Sequence, residues 1–170
     1  MLYHLLNQIA SVIPIQMLSE TENGIEVSYY EDNLPSQEQL TQINNLLQNW
    51  PLHQIKLIKL EELNAIWNNV IKNGWLSPDG YRLGIDIQDV ALLNGAFTLA
   101  KEADSMGIET PFSIIDLDGI SHTLSLQDLT VLMLQYGQAR ASLSNSYATI
   151  KQSINNSTTI EELNAINLTI

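Results

Sequence analysis

The sequence predicts an α+β protein that is mainly α. A small N-terminal helix/hairpin module is followed by a helical domain with a β-hairpin and one long helix. Three observations predict this. Apolar residues recur at alternating three and four spacing along several segments, the period of an amphipathic helix. Two pairs of short apolar runs flank Asn23-Gly24 and Asp118-Gly119, dipeptides suited to hairpin turns. A helical pattern then runs from Leu126 to about Asn155 without a proline. A chain of 170 residues suits one domain or two small ones. The expected division is 1–60, an α+β module, and 61–170, a helical domain.

The elements follow in order. Leu2, Leu5, Leu6, Ile9 and Val12 form a helical stripe that Pro14 stops. IQMLSE and GIEVSYYE are the strands of the first hairpin. Ser36, three residues before Gln39, is a capping box that opens the next helix. Leu40, Ile43, Leu46, Leu47 and Trp50 are its buried face, and Pro51 is expected to end it. HQIKLIKL reads as a strand or as the lead-in to the following helix. That helix carries Leu63, Ile66, Trp67, Val70 and Ile71 and stops at Gly74, with Trp75 folding back on its last turn. Ser77–Gly80 is a type I turn, and YRLGI a short strand. Asp86 caps a helix with Asp89 in its first turn, and Val90, Leu93, Ala96, Phe97 and Ala100 face inward until Gly107.

The second hairpin joins Phe112–Asp116 to Ile120–Leu124. Ser125 then caps the long helix, with Leu124 and Leu129 as a hydrophobic staple. At 1.5 Å per residue this helix is about 45 Å long. Leu129, Leu132, Tyr136, Ala139, Leu143 and Ile150 form its stripe, with Met133, Tyr147 and Ile154 beside them. A stripe this long and two-sided can serve a core and a partner helix together. TTIEEL begins a last short helix. The hexapeptide EELNAI occurs at 61–66 and 161–166, but its surroundings do not repeat, so it marks two helix starts rather than a duplication.

Composition excludes several classes. Hydrophobic residues are 45% of the chain, enough for a core, and there is no cysteine for disulfides, thiolate metal sites or nucleophiles. Nineteen acids against seven scattered bases give a net charge of -12, with no basic stripe for phosphates. Nucleic acid and anionic membrane surfaces are therefore not expected partners. The N-terminal run MLYHLLNQIASVI lacks a basic leader and is too short and polar for a span. Asn and Gln are frequent, which makes a surface polar without high charge and suited to protein contacts. A compositional bias of the source genome explains the same frequency.

The stretch IIDLDGISHTLS raises the question of chemistry. Asp116-x-Asp118 after an apolar run is how one phosphotransferase class presents a nucleophilic aspartate and its acid/base partner. That chemistry also needs a downstream lysine and an acidic pair for magnesium. Lys151 is the only later lysine and lies far along a helix, and Glu161 and Glu162 open the final one. A calcium loop starting at Asp116 fails because its fifth and twelfth positions are Ile120 and Gln127. His4, His53 and His122 lie far apart, without a helical-spacing partner. No G-x-S-x-G elbow and no Gly-rich phosphate loop is present. The expectation is no catalytic residue, no metal and no cofactor, with both aspartates forming a turn and remaining solvated.

From about Leu63 to Asn167 the sequence resembles the C-terminal helical domain of small tail-fibre assembly proteins of tailed bacteriophages. The residues that carry the resemblance are DGYRLGIDIQDVALLNGAFTLA, PFSIIDLDGISHTLS, and DLTVLMLQYGQARASLSNSYATIKQSI followed by TTIEELNAI. It covers about three-fifths of the chain. Residues 1–50 resemble a second phage-type module, a helix and a hairpin ending in YYEDN. The resemblance implies a non-enzymatic fibre chaperone at work in the host cytoplasm. It binds the phage tail-fibre protein and promotes its folding and trimerisation. Residues 1–60 are the expected fibre-binding module, through the hairpin edge with Val27, Tyr29 and Tyr30. The long helix is expected to drive a homo-oligomer through Leu132, Tyr136, Leu143 and Tyr147. A trimer is preferred because the client is threefold. The alternative is a permanent structural subunit of the phage tail or baseplate.

Overall fold

The computed structural model describes residues 2–21, 24–108 and 111–170. Among the described residues helices dominate, and the strands form three separate two-stranded antiparallel sheets. The chain divides into two compact units. The first comprises 1–59 with 154–165, and the second 60–153 with 166–170. The sequence reading assigned 154–165 to the second domain.

In the first unit, helix α1 (Leu2–Ala10) packs beside the hairpin of β1 (Ile15–Thr21) and β2 (Gly24–Tyr29). Asn23, half of the expected turn dipeptide, lies outside the described residues. The strands pair from Thr21↔Gly24 back to Ile15↔Tyr29, with an irregularity between Ile15 and Met17. Leu5, Ile9, Ile13, Ile43 and Trp50 are the buried core, and Leu18, Ile25, Val27 and Tyr29 pack against it. Helix α2 (Gln37–Asn73) opens on the predicted capping box. The Gln39 backbone N–H donates to Ser36 Oγ at 3.3 Å, and the Ser36 N–H donates to Gln39 Oε1 at 2.9 Å. The Gln39 amide also reaches the Val12 carbonyl at 3.0 Å, fixing α1's exit to α2.

Pro51 does not end this helix, contrary to the sequence reading. It lies inside α2, which continues through HQIKLIKL to Asn73. Pro51 has no N–H, so the Leu47 carbonyl loses its helical donor. Apolar burial resumes on the far side, and Leu63 is fully buried. Packing of that second stretch outweighs one missing hydrogen bond.

In the second unit, α2 ends at Gly74, whose φ of 66° is the left-handed C-cap conformation. A Cβ there would run into the Leu83 carbonyl oxygen, so glycine is required twice over. Trp75 then enters β3 (Trp75–Leu76), which pairs with β4 (Arg82–Leu83). Ser77 closes the turn between them, accepting the Tyr81 N–H on its hydroxyl at 3.0 Å. Helix α3 (Ile87–Ser105) starts on a capping box in which Asp86 accepts from the Gln88 and Asp89 N–H groups. The hairpin β5 (Phe112–Ile115) and β6 (Ser121–Leu124) precedes the long helix α4 (Leu126–Asn156). Leu83, Ile85, Leu93, Ala100, Ile114, Leu124, Leu129, Leu132 and Tyr136 form one buried cluster.

Helix α5 (Ile160–Ala165) belongs to the first unit. Thr159 and Glu162 cap it reciprocally, and Glu162 also accepts the Thr158 N–H at 2.6 Å. These contacts, with the Thr158 backbone bond foremost, hold the Glu162 carboxyl below its ordinary range.

Candidate protein-interaction surfaces

The expected fibre-binding residues lie on or just beyond β2. Alternation along the strand decides their directions. Ile25, Val27 and Tyr29 pack onto the core of the first unit, and burial pushes the Tyr29 phenol up from its ordinary pKa. Tyr30, one residue past the strand, is 50% exposed. Of the two tyrosines, it is therefore the outward one. Met17, on β1, is also exposed. Because the sheet has two strands, each keeps one lateral edge outside the pairing.

The four residues expected to drive oligomerisation are engaged within their own chain. Leu132 and Tyr136 are buried in the core of the second unit, and Leu143 packs against that core. The Tyr136 hydroxyl donates to the Gly84 carbonyl at 2.7 Å. Burial pushes its pKa up, with Arg140 acting in the opposite direction. Tyr147 stacks on Trp67 with centroids 5.0 Å apart and donates to Asn64 Oδ1 at 2.7 Å. The stripe read as two-sided thus faces inward at these positions, and their burial needs no second chain.

The DLDG turn differs from the sequence reading in one respect. Asp116 is not solvated but only 7% exposed. Its Oδ1 accepts the Asp118 N–H at 3.0 Å and the Ile120 N–H at 2.8 Å, while Oδ2 lies 2.8 Å from His122 Nε2. The His122 ring in turn lies over Tyr81, with centroids 4.0 Å apart. The hydrogen bond from His122, joined by the two backbone donors, holds the Asp116 carboxyl below the ordinary carboxylate range against the effect of burial. Asp118 remains exposed and makes a loose 3.5 Å ion pair with Arg82. The Leu117 N–H donates to the Arg82 carbonyl at 2.8 Å, so the turn is tied to β4. Both Asp116 oxygens are occupied by the chain itself. Among the described residues, no three His, Asp or Glu side chains converge as a metal-binding group.

Two features escaped the sequence reading. One is the Asp116–His122 pair. The hairpin register places Ile114 opposite His122, and Asp116 follows Ile114 on the same face, so the signal was present in the spacing. The other is an exposed apolar surface on α3, where Leu92 and Leu99 point to solvent. Beside it lies a groove of about 270 Å³ lined by Leu83, Leu92, Leu93, Ala96 and the β5 residues Ser113–Ile115.

Among the described residues, no helix is long and apolar enough to cross a membrane. No protein-family model matches the chain, and no curated protein or solved structure matches it either.

Proposed function

We propose that this chain is a non-enzymatic assembly chaperone for a bacteriophage tail fibre, active in the host cytoplasm while the virion is built. The sequence resemblance over residues 63–167 supplies the class. The observation that carries the reading onto the molecule is the β1–β2 hairpin, whose outer edges stand beside exposed Tyr30 and Met17. An unassembled fibre presents unpaired strands that aggregate edge to edge. A two-stranded sheet can cover such a strand by extending its own ladder, with backbone hydrogen bonds supplying affinity and an aromatic anchor supplying selectivity. Tyr30 is that anchor. Val27 and Tyr29 hold the hairpin against its core and act on binding only through the strand's position.

In the DLDG turn, Asp116 spends both oxygens on the turn and on His122, while Asp118 stays exposed beside Arg82. Self-association belongs to this reading as well.

The test is capture of a co-expressed candidate tail-fibre protein. The native protein should retain the fibre, and Tyr30→Ser should weaken retention while leaving the fold intact. Retention unchanged by Tyr30→Ser and by charge substitutions along β1 and β2 would remove the hairpin from the binding account. Mass spectrometry of purified virions separates a released chaperone, which is absent, from a permanent tail subunit, which is present in stoichiometric amount.

A further inference from the structure

Helix α3 has two apolar faces, and only one is used inside the chain. Leu93 and Ala100 are buried in the core, with Val90 and Phe97 packed against it. On the outer side, Leu92, Leu99 and Met106 recur every seventh residue and are 75%, 63% and 70% exposed. A sevenfold apolar repeat on one helix face is the pattern of a helix–helix seam. The adjoining Ile115 of β5 is 72% exposed and borders the same groove as Leu92. These four side chains present roughly 500 Å² of apolar surface, a large share of the ~800 Å² that each partner buries in a standard interface.

We propose that this face is a homodimer interface in which α3 crosses the α3 of a second copy antiparallel, about a twofold axis at Gly95–Ala96. Three features identify the occupant as a second copy. The first is symmetry. Leu92 and Leu99 stand equally far on either side of the Gly95–Ala96 bond, so an antiparallel twofold seats Leu92 of each copy against Leu99 of the other. An isologous contact requires this self-complementary spacing. The second is Gly95, a poor helix former in mid-helix. A Cβ there meets no atom of the chain within 4 Å, so no intrachain packing demands its absence. At a helix crossing, the missing side chain lets two backbones approach. The third is charge. The chain carries -12, which opposes self-association over most of its surface, yet Ala91–Ala100 contains no charged residue. Asp89, at the rim of the groove, is turned to its own chain, its Oδ2 accepting the Asp86 N–H at 3.3 Å. Two copies meet here without facing like charges.

This inference stands apart from the fibre reading, because it is tested on the purified chain alone. Light scattering should give twice the 19.0 kDa chain mass, falling to one chain on dilution. Leu92→Asp with Leu99→Asp should yield the single-chain mass at every concentration with unchanged helical circular dichroism, since both side chains are exposed in the monomer. The chain has no native cysteine, so a single introduced thiol reports proximity cleanly. Gly95→Cys should form a disulfide-linked dimer under oxidation, because the crossing brings the two positions within the ~7 Å Cα separation that a disulfide allows. Gln138→Cys on α4 should not. A single-chain mass for the native protein at all concentrations, a trimer, a dimer that survives the double aspartate change, or cross-linking at Gln138→Cys instead of Gly95→Cys would each overturn the proposal.

Discussion

The Tyr136 hydroxyl donates a 2.7 Å hydrogen bond to the carbonyl of Gly84, 52 residues earlier in the chain. One residue on α4 thereby fixes the segment between β4 and α3. The ring meets Trp75 edge-on at 5.9 Å, so the same side chain also packs against the start of β3. Tyr136→Phe keeps the packing and leaves the carbonyl without this donor. It should cost about 1 kcal/mol in denaturant unfolding. Leu129→Ala, at a fully buried position of the same core, should cost about 2–5 kcal/mol. A Phe variant as damaging as the Leu129→Ala variant would mean that the hydroxyl does more than close this contact.

Pro51 inside α2 predicts a stabilising change. Pro51→Ala restores an N–H for the Leu47 carbonyl and removes the ring clash with the preceding turn. Pro51 is exposed, so alanine opens no cavity. The variant should be more stable by about 1–3 kcal/mol, read as a higher thermal midpoint. A lower midpoint would show that the helix depends on the bend that proline introduces.

Gly74→Ala should be destabilising, because φ is 66° and the new Cβ would meet the Leu83 carbonyl oxygen. The cost should exceed the ~1 kcal/mol of an ordinary left-handed penalty, since β4 must also move. Equilibrium unfolding of the variant measures it.

Asp116 sets the acid limb. Its folded-state pKa is lowered, chiefly by His122, relative to about 3.9 in the unfolded chain. The unfolded state then binds the proton more readily. The pair's contribution is present in full above the unfolded value and is lost as pH falls through the folded value. Asp116→Asn should therefore lower stability at neutral pH and flatten its decline in acid. His122→Phe should do the same in part, because the two backbone donors to Asp116 remain. Thermal midpoints measured from about pH 2 to about pH 7 are the test. A variant with an acid limb parallel to that of the native protein would contradict the assignment.

Features whose chemistry is local were legible in the sequence. Ser36 with Gln39, Asp86 with Asp89 and Ser125 with Asp128 cap helices where the motifs placed them. The turn before β6 also formed as expected. Gly119 has a φ of 79°, its N–H donates to the Asp116 carbonyl at 3.0 Å, and the Asp116 N–H donates to the Ile120 carbonyl at 3.0 Å. Pro51 misled because local propensity gave way to tertiary packing beyond it. The two residues of β3 were too few to carry a strand pattern. On α4, a three-four stripe marks a buried face but does not say what buries it. Leu132 and Tyr136 turned out to serve their own core. On α3 Leu92 and Leu93 are adjacent, and an apolar pair does not reveal which member faces in; Leu93 is buried and Leu92 is exposed. The Asp116–His122 pair depends on the hairpin register, which sets a turn aspartate beside a histidine six residues on.

The central claim is that this chain keeps a tail fibre soluble until three fibre chains assemble, and its most direct test is the yield of native fibre. A candidate tail-fibre protein is expressed with and without this chain, and soluble trimeric, receptor-competent fibre is quantified from each. The account predicts that fibre expressed alone is mostly insoluble, and that co-expression restores the soluble trimer. A fibre equally soluble, trimeric and receptor-competent without this chain would contradict it.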